Sequence, residues 1–249
     1  MARIDYDEVA RDYRAGRGLT EEGLAGWRDA VRPYLEGLAL PLVDVGSGAG
    51  QFAGLFSRWF GIEVIGVEPS DGMRAEAEAS NEHSRVSYLA GDAQHLPLPG
   101  RSCGAAWYST VIHHIPDLAA AAHEATRVLA PGAPVLVRSA FPGRTERITL
   151  FRFFPGAASV VETFPSIEQL TGAFGHAGFA LERMESVRQV SVGSLREFRE
   201  RVVLRADTTL RGISDQEFAA GLARLDEAIQ NEPTCVEPLV DWLDLVVLR

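Results

Sequence analysis

The chain has 249 residues, of which 46% are hydrophobic, enough for a large core within one α/β unit. A formal net charge of −10, with all 24 basic residues arginine, disfavours phosphate-rich partners, so no nucleic acid is expected. No apolar run approaches the ~20 residues of a membrane span, and the charged first residues do not form a signal peptide, so a cytoplasmic protein with no membrane partner is expected. Cys103 and Cys235 lie too far apart for a metal-ligand pair; no metal is expected, and both read as ordinary thiols.

From Pro41 onward, β-rich runs alternate with amphipathic helical runs, the pattern of a parallel sheet covered on both faces. The first strand is Leu42 to Val45, followed by a glycine-rich turn and a helix carrying Phe52, Leu55, Phe56 and Trp59. Glu63 to Glu68 is the second strand, followed by a Pro-Ser-Asp-Gly turn and an Ala/Glu-rich helix to Ser80. Val86 to Leu89 is the third strand, and Cys103 to Ser109 the fourth, buried on both faces. A helix from about Leu118 to Leu129 stops at Pro131-Gly132, and Pro134 to Arg138 is the fifth strand. Capping boxes are expected at Ser166/Gln169, Ser194/Glu197 and Ser214/Glu217. The first opens a helix ending near Gly178, with a sixth strand at Phe179 to Val190. The other two open a helical pair before a last strand, Trp242 to Leu248.

The segment Asp44-Val45-Gly46-Ser47-Gly48-Ala49-Gly50 falls between a strand and a helix, where glycines let a backbone approach a ligand closely. A dinucleotide fingerprint would place a glycine where Gln51 stands. At the end of the second strand, Glu68 offers a carboxylate to ribose hydroxyls. The spacing acid-x-Gly-x-Gly-x-Gly resembles the first motif of class I S-adenosylmethionine-dependent methyltransferases. Val64 to Met73 resembles their second motif, Gly91 to Pro97 their adenine-edge motif, and Ser109 to Ile115 the segment after strand four in the ubiquinone/menaquinone-type group. Glu124 to Gly132 resembles the helix and turn before strand five, with Ala133 in place of a further glycine.

The resemblance implies a Rossmann-like seven-stranded, mostly parallel sheet with helices on both faces and an antiparallel last strand. It implies a single methyltransferase domain over 1–249: a helical lid at 1–37, a cofactor-binding core at 38–141, and a substrate-side half at 142–249 with a helical insertion at about 194–231. S-adenosyl-L-methionine is the implied cofactor, with Asp44 and Gly46 near its methionine part, Glu68 holding the ribose, and Ser47, Gly48, Gly50 and Pro69 as further cofactor-binding positions. Met73 is implied on the adenine face, where core filling is the alternative. Asp92 and Ala93 would meet the adenine edge, and Ser109, Tyr13 and Arg17 complete the set.

The implied reaction is methyl transfer to an O, N or C nucleophile of a small molecule, possible in secondary metabolism, by a monomer or homodimer. A catalytically silent cofactor-binding protein and a nicotinamide-dependent oxidoreductase are the alternatives. His113 and His114 are the candidate general bases, with packing under the lid and solvent exposure as the competing roles. Tyr6, Tyr108, His113, Phe151 and Phe154 are candidate substrate contacts, and Arg17, Arg138 and Arg144 are candidates to grip an acidic group. Strand burial is expected for Trp107, and His95 and His123 are expected at the surface.

Overall fold

Short β-branched and aromatic runs form the middle of the sheet because they are buried on both faces, as parallel strands covered by helices must be. The structure is a computed structural model that describes residues 16, 18–81, 84–232 and 237–249. Its strands are β1 (Leu42–Val45), β2 (Val64–Glu68), β3 (Val86–Ala90), β4 (Ala105–Ser109), β5 (Val135–Ser139), β6 (Leu181–Val192) and β7 (Leu239–Leu248). They lie in the order β3-β2-β1-β4-β5-β7-β6. Strands β1 to β5 pair in parallel, and β7 runs antiparallel to both β5 and β6. The expected fold class is the one observed.

The described helices are α1 (Ala25–Leu35), α2 (Gln51–Phe60), α3 (Asp71–Ser80), α4 (Leu118–Val128), α5 (Thr149–Phe153), α6 (Pro155–Val161), α7 (Ile167–His176), α8 (Leu195–Val202), α9 (Thr208–Arg211) and α10 (Asp215–Gln230). One face of the sheet packs α4 and α7 through Ala121, Ala125, Leu170 and Phe174. The other packs α1 and α2 through Trp27, Val31, Phe52 and Phe56 around Trp107. A third cluster, built from α5, α6, α8, α9 and α10 with Val192 of β6, forms a separate apolar body.

Several expectations need correction. Residues 25–35 belong to a core helix, not to a lid over the site: Trp27, Val31 and Leu35 are fully buried. The sixth strand starts two residues later than expected because the Phe179 amide donates to Phe174 O and completes the turn after α7. Ser166 and Ser214 form full capping boxes. At Ser194 only half a box exists, since the Glu197 carboxylate accepts from the Gly193 amide instead. The Phe151–Phe154 stretch lies in α5 and at its junction with α6, two short helices that carried no periodic signal long enough to read.

Candidate functional site

The turn after β1 is fixed by backbone bonds to β2: the Gly46 amide donates to Val67 O at 2.7 Å and the Ser47 amide to the same oxygen at 3.3 Å. Gly46 has φ +68°, and a Cβ there would strike the Val111 side chain, so both conformation and space demand glycine. Glu68, at the end of β2, is buried and grips the turn: its Oε2 accepts from the Gly48 amide at 2.9 Å and its Oε1 from the Ser70 amide at 3.0 Å. Burial, reinforced by the nearby Glu68 charge, pushes the Asp44 carboxyl from an ordinary 3.8 to about 8. Among the described residues, the buried Ser47 hydroxyl has no hydrogen-bond partner.

The third glycine has a different task. Gly50 caps α2 at φ +75°, and a Cβ there would meet the Tyr88 hydroxyl and the Asn81 amide. Asn81 Nδ2 donates to Gly50 O at 3.2 Å and to the Tyr88 hydroxyl at 2.6 Å. A Cβ on Gly54 would collide with Asn81, and one on Gly66 with Tyr88, so glycines on α2 and β2 make room for this brace behind the turn. Sequence reasoning missed Asn81 and Tyr88. The available signal was a glycine inside a helix and another inside a strand, each of which marks a close approach.

A cavity of ≈ 380 Å³ opens from this turn across the C-terminal edge of the sheet. Asp44, Gly46, Ser47, Gly48, Gly50, Ser109, His113 and Phe151 all contribute to its wall. Glu68, Pro69, Met73, Asp92 and Ala93 do not. Met73 is buried, and the Asp92 carboxylate accepts from the Gln94 and His95 amides of its own turn. Two substrate assignments are corrected. Tyr108 is fully buried on the opposite face, edge-on to Phe174 with ring centroids 6.1 Å apart, and burial pushes its hydroxyl up. Phe154 is buried against Phe218 and Gly221, away from the cavity. Tyr6, Tyr13, Arg17 and Cys235 lie outside the described residues.

The histidine pair divides. His113 lines the cavity, its ring parallel to Phe164 at 5° and 4.0 Å, while His114 is exposed and outside it. His95 and His123 are exposed, and Trp107 is buried between Trp27, Phe52 and Phe56, as expected. Arg144 is bound to Asp244 at 2.6 Å away from the cavity, whereas Arg138 is buried in its wall. Gln51 ties the far side: its Nε2 donates to Leu19 O at 2.8 Å, and Arg201 of α8 donates to Gly18 O at 2.6 Å, so residues 18–19 are pinned across the cavity mouth from both halves. Among the described residues no cluster suited to a metal ion occurs, and no helix is long and apolar enough to cross a membrane.

Residues 43–137 match the family described as methyltransferase domain. Demethylmenaquinone methyltransferase of Chlorobaculum tepidum is 28% identical over 70% of this chain and 82% of its own length. The 27-O-demethylrifamycin SV methyltransferase of Amycolatopsis mediterranei is 26% identical over 78% of this chain and 73% of its own. Among solved structures, the [4+2]-cyclase SpnF superposes with a TM-score of 0.65 at 21% identity, over 98% of this chain and 93% of that one. That last likeness is one of fold, which hosts more than one chemistry.

Proposed function

The chain is an S-adenosylmethionine-dependent methyltransferase of the class I fold, and from that premise we propose that it methylates a small acceptor with an apolar body, seated between the glycine turn and the helices after β5. The observation that carries this reading is the continuity of the cavity. Its wall runs from Asp44 and Gly46 to Ile148, Leu150, Phe151, Val161 and Phe164 without an intervening partition. Gln51, at the glycine position of a dinucleotide fingerprint, and the family match together set aside the nicotinamide alternative.

The residues fit the cofactor. Gly46 and Gly48 bring bare backbone to the wall, Ser47 supplies a hydroxyl without a partner among the described residues, and Asp44 supplies an acid suited to a cationic ligand. In this reading Glu68 and Pro69 meet the ribose, and Met73, Asp92 and Ala93 the adenine, while Ser109 flanks the methionine end together with Tyr13 and Arg17. When bound, the cofactor supplies a methyl group on a sulfonium, already an excellent leaving group. The protein's part is alignment and exclusion of water, and orientation at attack distance accounts for ~7–11 kcal/mol of such a barrier. His113, held flat on Phe164, takes the proton of an acceptor that arrives protonated; His114, at the surface, takes no part. Residues 194–231 choose the acceptor, on the support that α8 and α9 bring Phe198, Val202 and Leu210 to the cavity.

With a net charge of −10, the acceptor is a free small molecule of biosynthesis, possible in secondary metabolism, rather than a nucleic acid; the enzyme works in the cytoplasm as a monomer or homodimer. The experiment is a melting series with S-adenosylhomocysteine followed by turnover with phenols, amines and activated carbons. At 100 times Kd the ligand adds ~2.7 kcal/mol of apparent stability. Stabilisation without methylation of any acceptor would favour a silent cofactor-binding protein, and no stabilisation would remove the reading. A His113→Ala variant should lose roughly 10² in kcat on a protonated acceptor and little on an ionised one; equal loss on both would end the proton-transfer role.

A further inference from the structure

On the face of the sheet that packs α1 and α2, the strands change from apolar to polar as they approach the cavity. β1 passes from Leu42 to Asp44, β4 from Trp107 to Ser109, β5 from Leu136 to Arg138, β6 from Val187 to Gln189 and, running the other way, β7 from Leu243 to Asp241. Strand pairing sets them in a stagger: Ser109 sits opposite Arg138 and Gln189 opposite Asp241, while Asp44 sits opposite Trp107 and Arg138 opposite Leu245. All five polar residues line the cavity, and Asp44, Arg138, Gln189 and Asp241 are buried. Burying such a row is costly unless it is hydrogen-bonded or meets a ligand.

The bonds within the row divide the labour. Asp241 is used structurally: its Oδ1 accepts from the Thr149 amide at the start of α5 at 2.7 Å, and its Oδ2 accepts from the Ser191 hydroxyl. Gln189 Oε1 accepts from Trp27 Nε1 at 3.1 Å and from Arg138 Nη2 at 2.7 Å, which fills both lone pairs of that oxygen. Gln189 is therefore a positioning residue for Arg138. Arg138 Nη1 donates to the Ser109 hydroxyl at 3.2 Å, and the guanidinium lies 5.0 Å from the Trp27 ring centroid and 5.3 Å from that of Phe52. A flat cation is thus fixed on its edges and between aromatic faces, in a wall that also carries Phe151 and Phe164.

We propose that Arg138 reads a carboxylate on the methyl acceptor, so that the acceptor class is an aromatic or otherwise apolar carboxylic acid, with its body on the Phe151/Phe164 side. The planar fork of a guanidinium matches a carboxylate, and its desolvated setting strengthens that pairing. The assignment rests on the methyltransferase reading for the existence of an acceptor.

The test uses calorimetric titration of the full chain, saturated with S-adenosylhomocysteine, against matched probes: 4-hydroxybenzoate and cinnamate, each beside its methyl ester. At least one acid should bind about tenfold or more tightly than its ester. Arg138→Gln should erase the preference while keeping S-adenosylhomocysteine affinity, and Arg138→Lys, which keeps the charge without the fork, should retain part of it. No acid bound above its ester, or a preference unchanged in Arg138→Gln, would overturn the proposal. Loss of S-adenosylhomocysteine binding in a variant that circular dichroism shows folded would overturn it too, by giving Arg138 to the cofactor. Failure of the unmodified protein to bind S-adenosylhomocysteine would instead sink the methyltransferase reading.

Discussion

The two halves of the molecule build their parts of the cavity by different means. In the first half, the turn at 46–50 gives the wall bare backbone: Gly46 and Gly48 present peptide groups, held by Glu68 and by Val67 O. Between 142 and 249, it is mainly side chains delivered by short helices that share an apolar cluster of their own. The first construction tolerates almost no substitution and fixes one ligand. The second can be repacked while the fold survives, which is how one scaffold serves many acceptors.

The largest expected effect separates stability from recognition within the second half. Phe154 is fully buried against Gly221 and stacked on Phe218 with centroids 5.6 Å apart, so Phe154→Ala should cost ~3–5 kcal/mol in denaturant unfolding. Phe151, three residues earlier and on the cavity wall, should cost far less stability when replaced by alanine and should instead raise KM for the acceptor. Equal destabilisation by both would mean that this wall is core and not pocket.

The first half is probed by Glu68→Gln. An amide can accept from only one of the Gly48 and Ser70 amides and turns a donor on the other, which loses a charge-assisted bond of roughly 1.5–3 kcal/mol. Affinity for S-adenosylhomocysteine should fall about 10- to 100-fold by calorimetry. A matching fall in melting temperature would assign the carboxylate to holding the turn, and an unchanged one would assign it to the ligand.

This contrast also explains what the sequence disclosed. Asp44, the glycines and Glu68 are readable because each answers a local backbone demand at fixed spacing, and the strand order follows from the alternation of β and helical runs. Arg138, Gln189 and Asp241 come together only after β7 inserts between β5 and β6, a pairing that joins Arg138 to Leu245 and Gln189 to Asp241 across the chain and leaves no local signature. Tyr108 and Phe154 were misassigned for a related reason: proximity in sequence to the site does not say which face of a strand or helix is presented. Between Phe151 in α5 and Phe154 at the junction of α5 and α6, three residues move a ring from the cavity to the core.

A pH series tests the buried acid of the first half. Folded protein holds the Asp44 proton more tightly than the unfolded chain, so its contribution is fully present below pH ~4 and is lost as pH rises toward about 8. Relative to Asp44→Asn, the unmodified protein should lose ~2 kcal/mol of stability between pH 6 and 8, at ~1.4 kcal/mol per unit. A cationic ligand favours the ionised carboxylate, so affinity for S-adenosylmethionine should rise over the same interval in the unmodified protein and stay flatter in the variant. A stability difference independent of pH would show that Asp44 titrates normally.

The smallest effect concerns the brace that no motif announced. Tyr88→Phe removes the hydroxyl that accepts from Asn81 but keeps the ring that fills the space left by Gly66, so it should cost only ~0.5–1.5 kcal/mol. Asn81 would still hold Gly50 O, but with one restraint fewer, and the start of α2 should become more mobile. Amide hydrogen exchange should therefore rise at residues 50–54 and stay unchanged in α8 and α10, which the brace does not touch. Faster exchange in both regions would mean that the two halves of the wall are coupled through the sheet; no change at 50–54 would mean that the glycines alone set the turn.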